Sequence, residues 1–135
     1  MVFPPFQNII NWPHPTVVAT HKEHGFYISE IDVGAVVSRG SRFTNVYTAK
    51  LCNCFSNAEE HWTQEIAFPT AFLTIQVHFP KTRPPKLVRC FIVEGTTDRE
   101  IATTASITEL FGQKAIVWQL EKPRLKEVYK ISWHW

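Results

Sequence analysis

The run FLTIQVHF, Phe72 to Phe79, places Leu73, Ile75, Val77 and Phe79 on one face and Thr74, Gln76 and His78 on the other. Successive side chains of an extended chain point to opposite sides, so this period of two specifies a half-buried strand. PKTRPP then stops it, because proline cannot donate to a ladder and restricts the residue before it.

The same grammar recurs along the chain. FYISEIDVGAVV is apolar and β-branched, with Gly34 placed for a bulge or turn. SRGSR is turn chemistry, and TNVYTAKLCNCF alternates again. SNAEEH reads as a polar loop that could begin as an Asx turn. KLVRCFIVE is a nearly continuous apolar run suited to a central strand, and GTTDRE is a turn. IATTASIT, KAIVWQL and VYKISWHW read as further strands, separated by the connector ELFGQ and the charged loop EKPRLKE.

Almost no stretch has the helical period. About six to eight short strands between Gly, Pro and polar turns indicate an all-β domain, an antiparallel β-sandwich or barrel. Residues 1–25 carry four prolines and no sustained period, so they are expected to form a short N-terminal arm or an edge strand. The domain proper is expected over residues 26–135. No internal repeat suggests a propeller or solenoid.

The chain of 135 residues is 44% apolar and 19% charged, which suits one globular domain. A net charge of +2, with Lys and Arg scattered, gives no footprint for nucleic acid. The start MVFPPFQNIINWPHP has no basic segment ahead of an apolar one and is broken by prolines, so no signal peptide is expected. No apolar run approaches the roughly 20 residues that span a bilayer. These features predict a cytoplasmic protein, or one exported by an unconventional route. Cys52, Cys54 and Cys90 are an odd number without a secretory signal, which argues against a disulfide framework. Cys52 and Cys54 would share one strand face, but there is no second pair to complete a zinc site.

Catalytic constellations are missing from the sequence. The six Ser have no G-x-S-x-G elbow, and the Cys lack the context of a thiol nucleophile. Asp32 and Asp98 are the only aspartates, too few for an Asp-rich calcium loop. HKEH, His21 to His24, has a spacing that metal sites use on helices, but it precedes a strand and reads as solvated histidines. Glu59 to His61 read as a solvated loop tip. Neither an enzyme nor a bound metal or other cofactor is therefore expected. Sugar recognition asks for less: planar rings that pack on the apolar side of a pyranose, beside side chains that hydrogen-bond its hydroxyls. Trp118, with Gln119 next to it, and Arg99 in TTDRE are residues of these types beside turns. A Trp in a strand is more often core, and an Arg in such a turn more often faces solvent.

The order of features from Ile75 onward resembles the H-type lectin family, the snail agglutinin-like domains also found at the C-terminus of discoidins. IQVHFP leads to RPPKLV; DREIATTASIT places an Arg before a β-rich run; FGQKAIVW is an aromatic turn followed by a Trp; and VYKISWHW carries the closing Y-x-x-x-W. The resemblance covers about sixty residues and rests on the order of several short motifs. It implies a six-stranded antiparallel sandwich that assembles as trimers or hexamers. It also implies shallow sites for galactose or N-acetylgalactosamine at the edges between protomers. Residue by residue, Arg99 is similar to the Arg that bonds sugar hydroxyls, and Trp118 to the aromatic of the site. Gln119 stands where the snail members have a His. The acidic contact from a neighbouring protomer falls nearest to SNAEEHW. Two departures concern the site: a longer segment from Trp118 to Tyr129, and FG where the family has GF. A homo-oligomeric lectin for galactose-type glycans is thus expected. The alternative is the same sandwich used for protein interaction or self-assembly without sugar.

By its alternation the ending EVYKISWHW puts Tyr129, Ile131, Trp133 and Trp135 on one face. The first three are expected in the core, and Trp135 is expected to be covered by the N-terminal arm or by a neighbouring subunit.

Overall fold

The computed structural model describes residues 16–23, 26–32, 38–40, 42, 44, 46 and 55–135. The expected strand over TNVYTAKLCNCF, the thiols of Cys52 and Cys54, Gly34, His24 and the first fifteen residues lie outside these, wholly or for the most part. The chain divides into two compact units, Met1–Cys54 and Phe55–Trp135.

In the first unit, β1 (Thr16–Glu23) pairs antiparallel with β2 (Phe26–Asp32), with a shift of register between Val17 and Ala19. His21 therefore belongs to a strand, not to a loop ahead of one. The expected boundary at residue 25 falls between two strands that are hydrogen-bonded to each other.

The second unit holds seven strands in two antiparallel sheets. One sheet has the order β3 (Glu59–Glu65), β9 (Val128–His134), β5 (Leu87–Glu94), β6 (Thr97–Ile101). The other has the order β4 (Phe72–His78), β8 (Gln113–Glu121), β7 (Ser106–Leu110). No helix occurs among the described residues, and the architecture is the all-β antiparallel sandwich that the sequence predicts.

Each sheet turns its apolar face inward. Ile75, Ile116 and Trp118 come from the three-stranded sheet, and Cys90, Tyr129, Ile131 and Trp133 from the four-stranded one. Trp118 meets Tyr129 edge-to-face, with ring centroids 5.9 Å apart, across the interface of the two sheets. Burial pushes the Cys90 thiol above its ordinary range, so it packs as a small apolar group. Deleting a buried side chain of this size class costs about 2–5 kcal/mol, which is what holds the layers together.

Further sequence expectations move. IATTASIT is not one strand, since residues 102–105 lie between β6 and β7, and ELFGQ is a connector only at Phe111 and Gly112. SNAEEH is not wholly a loop, because Glu59 to His61 open β3, an edge strand paired along its length with β9. Its inward face carries Glu60, Trp62 and Gln64, so only one apolar residue marks the alternation. Charged edge strands of this kind resist pairing with other chains. GTTDRE is a turn only at Gly95 and Thr96; Thr97 to Glu100 already pair with β5. Gly95 has φ +64°, the left-handed value that the first position of a II′ hairpin turn requires.

Tyr129, Ile131 and Trp133 lie in the core as the alternation predicts. Trp135 differs from expectation in its cover, which among the described residues comes from the same unit and not from the N-terminal arm or a second subunit. Its ring packs edge-on against Phe79 at 5.4 Å and Trp133 at 6.1 Å, and the Arg83 guanidinium sits over it.

Candidate functional site

The three residues singled out by the sequence go to three different places. Trp118 is 0% exposed, on the inner face of β8, and its indole N–H donates to Thr104 Oγ1 at 2.9 Å. It presents no ring to a ligand; it is a core residue, and the sugar-platform expectation is corrected on that ground. Strand alternation explains the outcome, since Ile116, Trp118 and Leu120 share one side.

Gln119 follows on the opposite, solvent side of β8, directly across from Thr74 of β4. Arg99 belongs to β6 at the edge of the other sheet, where its Nε donates to Glu94 Oε1 at 2.7 Å. The chain does not bring Arg99 to the sheet face that carries Gln119. Glu59 and Glu60, in the stretch nearest the family's acidic contact, stand on β3. Glu59 is exposed, whereas Glu60 is buried and accepts the Asn57 backbone N–H at 2.6 Å.

The outer face of the three-stranded sheet carries polar side chains on its two flanking strands. Thr74, Gln76 and His78 project from β4 and Ser106 and Thr108 from β7, with Ala115 and Val117 of β8 between them and Gln119 beyond. Gln76 lies across from Val117, so it is a diagonal neighbour of Gln119 on the same face. His78 Nε2 and Gln76 Oε1 are 3.2 Å apart. With Nε2 protonated, the imidazole donates to that oxygen and leaves the amide NH₂ of Gln76 for an external acceptor.

Phe111 completes this face. It is 95% exposed at the tip of the β7–β8 hairpin, and its ring lies nearly parallel to His78, 24° apart with centroids at 6.4 Å. The hairpin has two central residues, Phe111 at φ 53° and Gly112 at φ 73°. Positive φ at both positions is the I′ pattern, which the right-handed twist of the flanking strands favours. Glycine meets that demand freely, but an aromatic side chain there is strained. A large apolar ring is therefore held in solvent by a backbone conformation it does not prefer.

Thr74, Gln76 and His78 were visible in the sequence as the polar face of an alternating strand. Phe111 was not, because ELFGQ reads as a connector. Among the described residues no three His, Cys, Asp or Glu side chains converge as a cation site. Set against protein-family models, curated proteins and solved structures, the chain matches none of them.

Proposed function

We propose that this chain is a non-catalytic glycan-binding protein whose site is the outer face of the β4–β8–β7 sheet. The observation that carries the proposal is the exposed Phe111 ring, stacked on His78, whose Nε2 lies 3.2 Å from Gln76 Oε1; Gln119 lies further along the same face, across from Thr74. Galactose and N-acetylgalactosamine have one face of contiguous C–H groups that packs on an aromatic ring. Their hydroxyls suit amide and imidazole partners that both donate and accept. The order of motifs from Ile75 to Trp135, similar to that of H-type lectins, supports the same reading and the same sugar class. Arg99 is left for a contact outside this face. A shallow site of this kind binds weakly alone, and assembly as a trimer or hexamer would raise avidity by presenting several copies together.

A glycan array on the purified protein, followed by calorimetry with galactosides, tests the proposal. Phe111→Ala and Gln76→Ala should each weaken binding about tenfold, equivalent to about 1.4 kcal/mol. An array and calorimetry that both come back blank would overturn it.

The alternative is a protein-interaction or self-assembly module on the same sandwich. Exposed Phe68, Phe72 and Phe111 favour it, because apolar surface in solvent marks contact sites. A blank array with a stable oligomer by light scattering would select this alternative.

A further inference from the structure

The loop between β3 and β4 and the loop between β8 and β9 lie side by side at one end of the sandwich. Three backbone hydrogen bonds join their ends: Lys122 N–H to Ala71 O at 2.7 Å, Lys126 N–H to Ile66 O at 2.7 Å, and Ile66 N–H to Glu127 O at 3.0 Å. The Arg124 N–H is tied to the Tyr129 hydroxyl at 3.2 Å. The loops are thus anchored to each other and to the core, yet they and the first residue of β4 carry apolar side chains into solvent. Phe68 is 76% exposed, Phe72 72% and Leu125 49%.

Three cations share the β8–β9 loop with Leu125. Lys122, Arg124 and Lys126 are exposed, and none forms an ion pair with a described carboxylate. Of the neighbouring acids, Glu127 is engaged by the Tyr129 hydroxyl, which leaves Glu121 across from Phe72 and Glu65 at the end of β3. Lys122 at φ 47° and Lys126 at φ 66° are both left-handed. Non-glycine residues adopt that conformation at an energetic cost, and do so preferentially where a site is built.

We propose that this end of the sandwich docks on an anionic lipid bilayer. Two phenylalanines and a leucine gain nothing from a soluble phosphate, and three lysine or arginine side chains gain nothing from neutral lipid. An interface that offers negative headgroups above hydrocarbon satisfies both sets at once. Each basic residue near such a surface strengthens the attraction, and inserted apolar side chains add to this. The contact is peripheral and uses loops, not a spanning helix.

The full chain is to be sedimented with vesicles of phosphatidylcholine alone and of phosphatidylcholine with phosphatidylserine. Binding is expected only to the second, and it should fall as salt is raised through the physiological range. The triple variant Lys122→Glu, Arg124→Glu, Lys126→Glu should lose it at least tenfold. Phe68→Ser with Phe72→Ser should weaken it several-fold, with the circular dichroism of the folded protein unchanged in both variants. These vesicles carry no sugar, so the result is independent of glycan binding. Failure to sediment with the anionic vesicles at low salt would overturn the proposal. So would binding that survives charge reversal in a folded protein.

Discussion

Arg83 holds its guanidinium carbon 3.9 Å from the ring centroid of Trp135. The same side chain donates to Phe55 O at 2.6 Å and to Asn57 O at 3.4 Å. One cation therefore fastens the segment before β3 and the residue after β9 at a single point. Arg83→Ala should destabilise the unit by about 1–3 kcal/mol, from the lost cation–π contact and the loss of hydrogen bonds from a charged donor. Urea unfolding followed by tryptophan fluorescence measures this. Arg83→Lys should restore less than half, since a point charge cannot span two carbonyls as a planar fork does.

Trp118 should behave as a core residue under substitution. Trp118→Ala is expected to cost about 3–5 kcal/mol, whereas Thr104→Val, which removes only the acceptor of its N–H, should cost about 0.5–1.5 kcal/mol. Thermal unfolding of the two variants provides the comparison. A Trp118→Ala protein as stable as the parent would show that the indole is not packed between the sheets.

Phe111 links stability and binding with opposite signs. Phe111→Asn places a residue tolerant of left-handed φ in the hairpin and should stabilise the fold by about 1 kcal/mol. The same substitution removes the exposed ring and should weaken glycan binding. Equilibrium unfolding and calorimetry on one variant test both effects.

Tyr129 predicts an alkaline limit. Burial raises its hydroxyl above the ordinary tyrosine range, and its hydrogen bond to Glu127 acts in the same direction. The folded protein thus keeps a proton that the unfolded chain releases. The associated stability is complete below the ordinary tyrosine pKa and is lost as pH rises through the elevated one. Ultraviolet titration of tyrosinate should show Tyr129 ionising last, or together with unfolding, and Tyr129→Phe should shift the alkaline unfolding midpoint upward.

Cys90 should resist alkylation in the folded protein. Its thiol is buried and its pKa is raised, so the reactive thiolate is scarce and shielded. Iodoacetamide labelling read by peptide mass spectrometry should leave Cys90 unmodified in buffer and modified in urea.

The strands legible in the sequence are those whose two faces differ in polarity. β4, β5, β8 and β9 alternate apolar and polar residues or run apolar throughout, and the chain shows them plainly. β3 was hidden because an edge strand near the rim can turn Glu60 and Gln64 inward, so Trp62 alone marks its inner side. β6 was hidden because TDREI is built for an exposed edge, where charge replaces the apolar signal. Trp118 and Gln119 illustrate a sharper limit. Adjacent residues in a strand face opposite ways, so they cannot both serve one shallow site on a single sheet face, however suitable their chemistry. The cluster on the outer face had to be assembled from β4, β7, β8 and the hairpin tip. That needs pairing register, which local sequence does not carry.

The position of β9 has a consequence for how the protein is made. It lies between β3 and β5, which have no hydrogen bonds to each other, and it follows both of them in the chain. On the ribosome, β5 and β6 can close as a hairpin, and β7 and β8 as another, while β3 waits with its backbone unpaired. The four-stranded sheet assembles only once residues 128–134 have emerged. Folding of this sheet therefore waits on a pairing distant in sequence, which slows it and leaves β3 without its β9 partner until then.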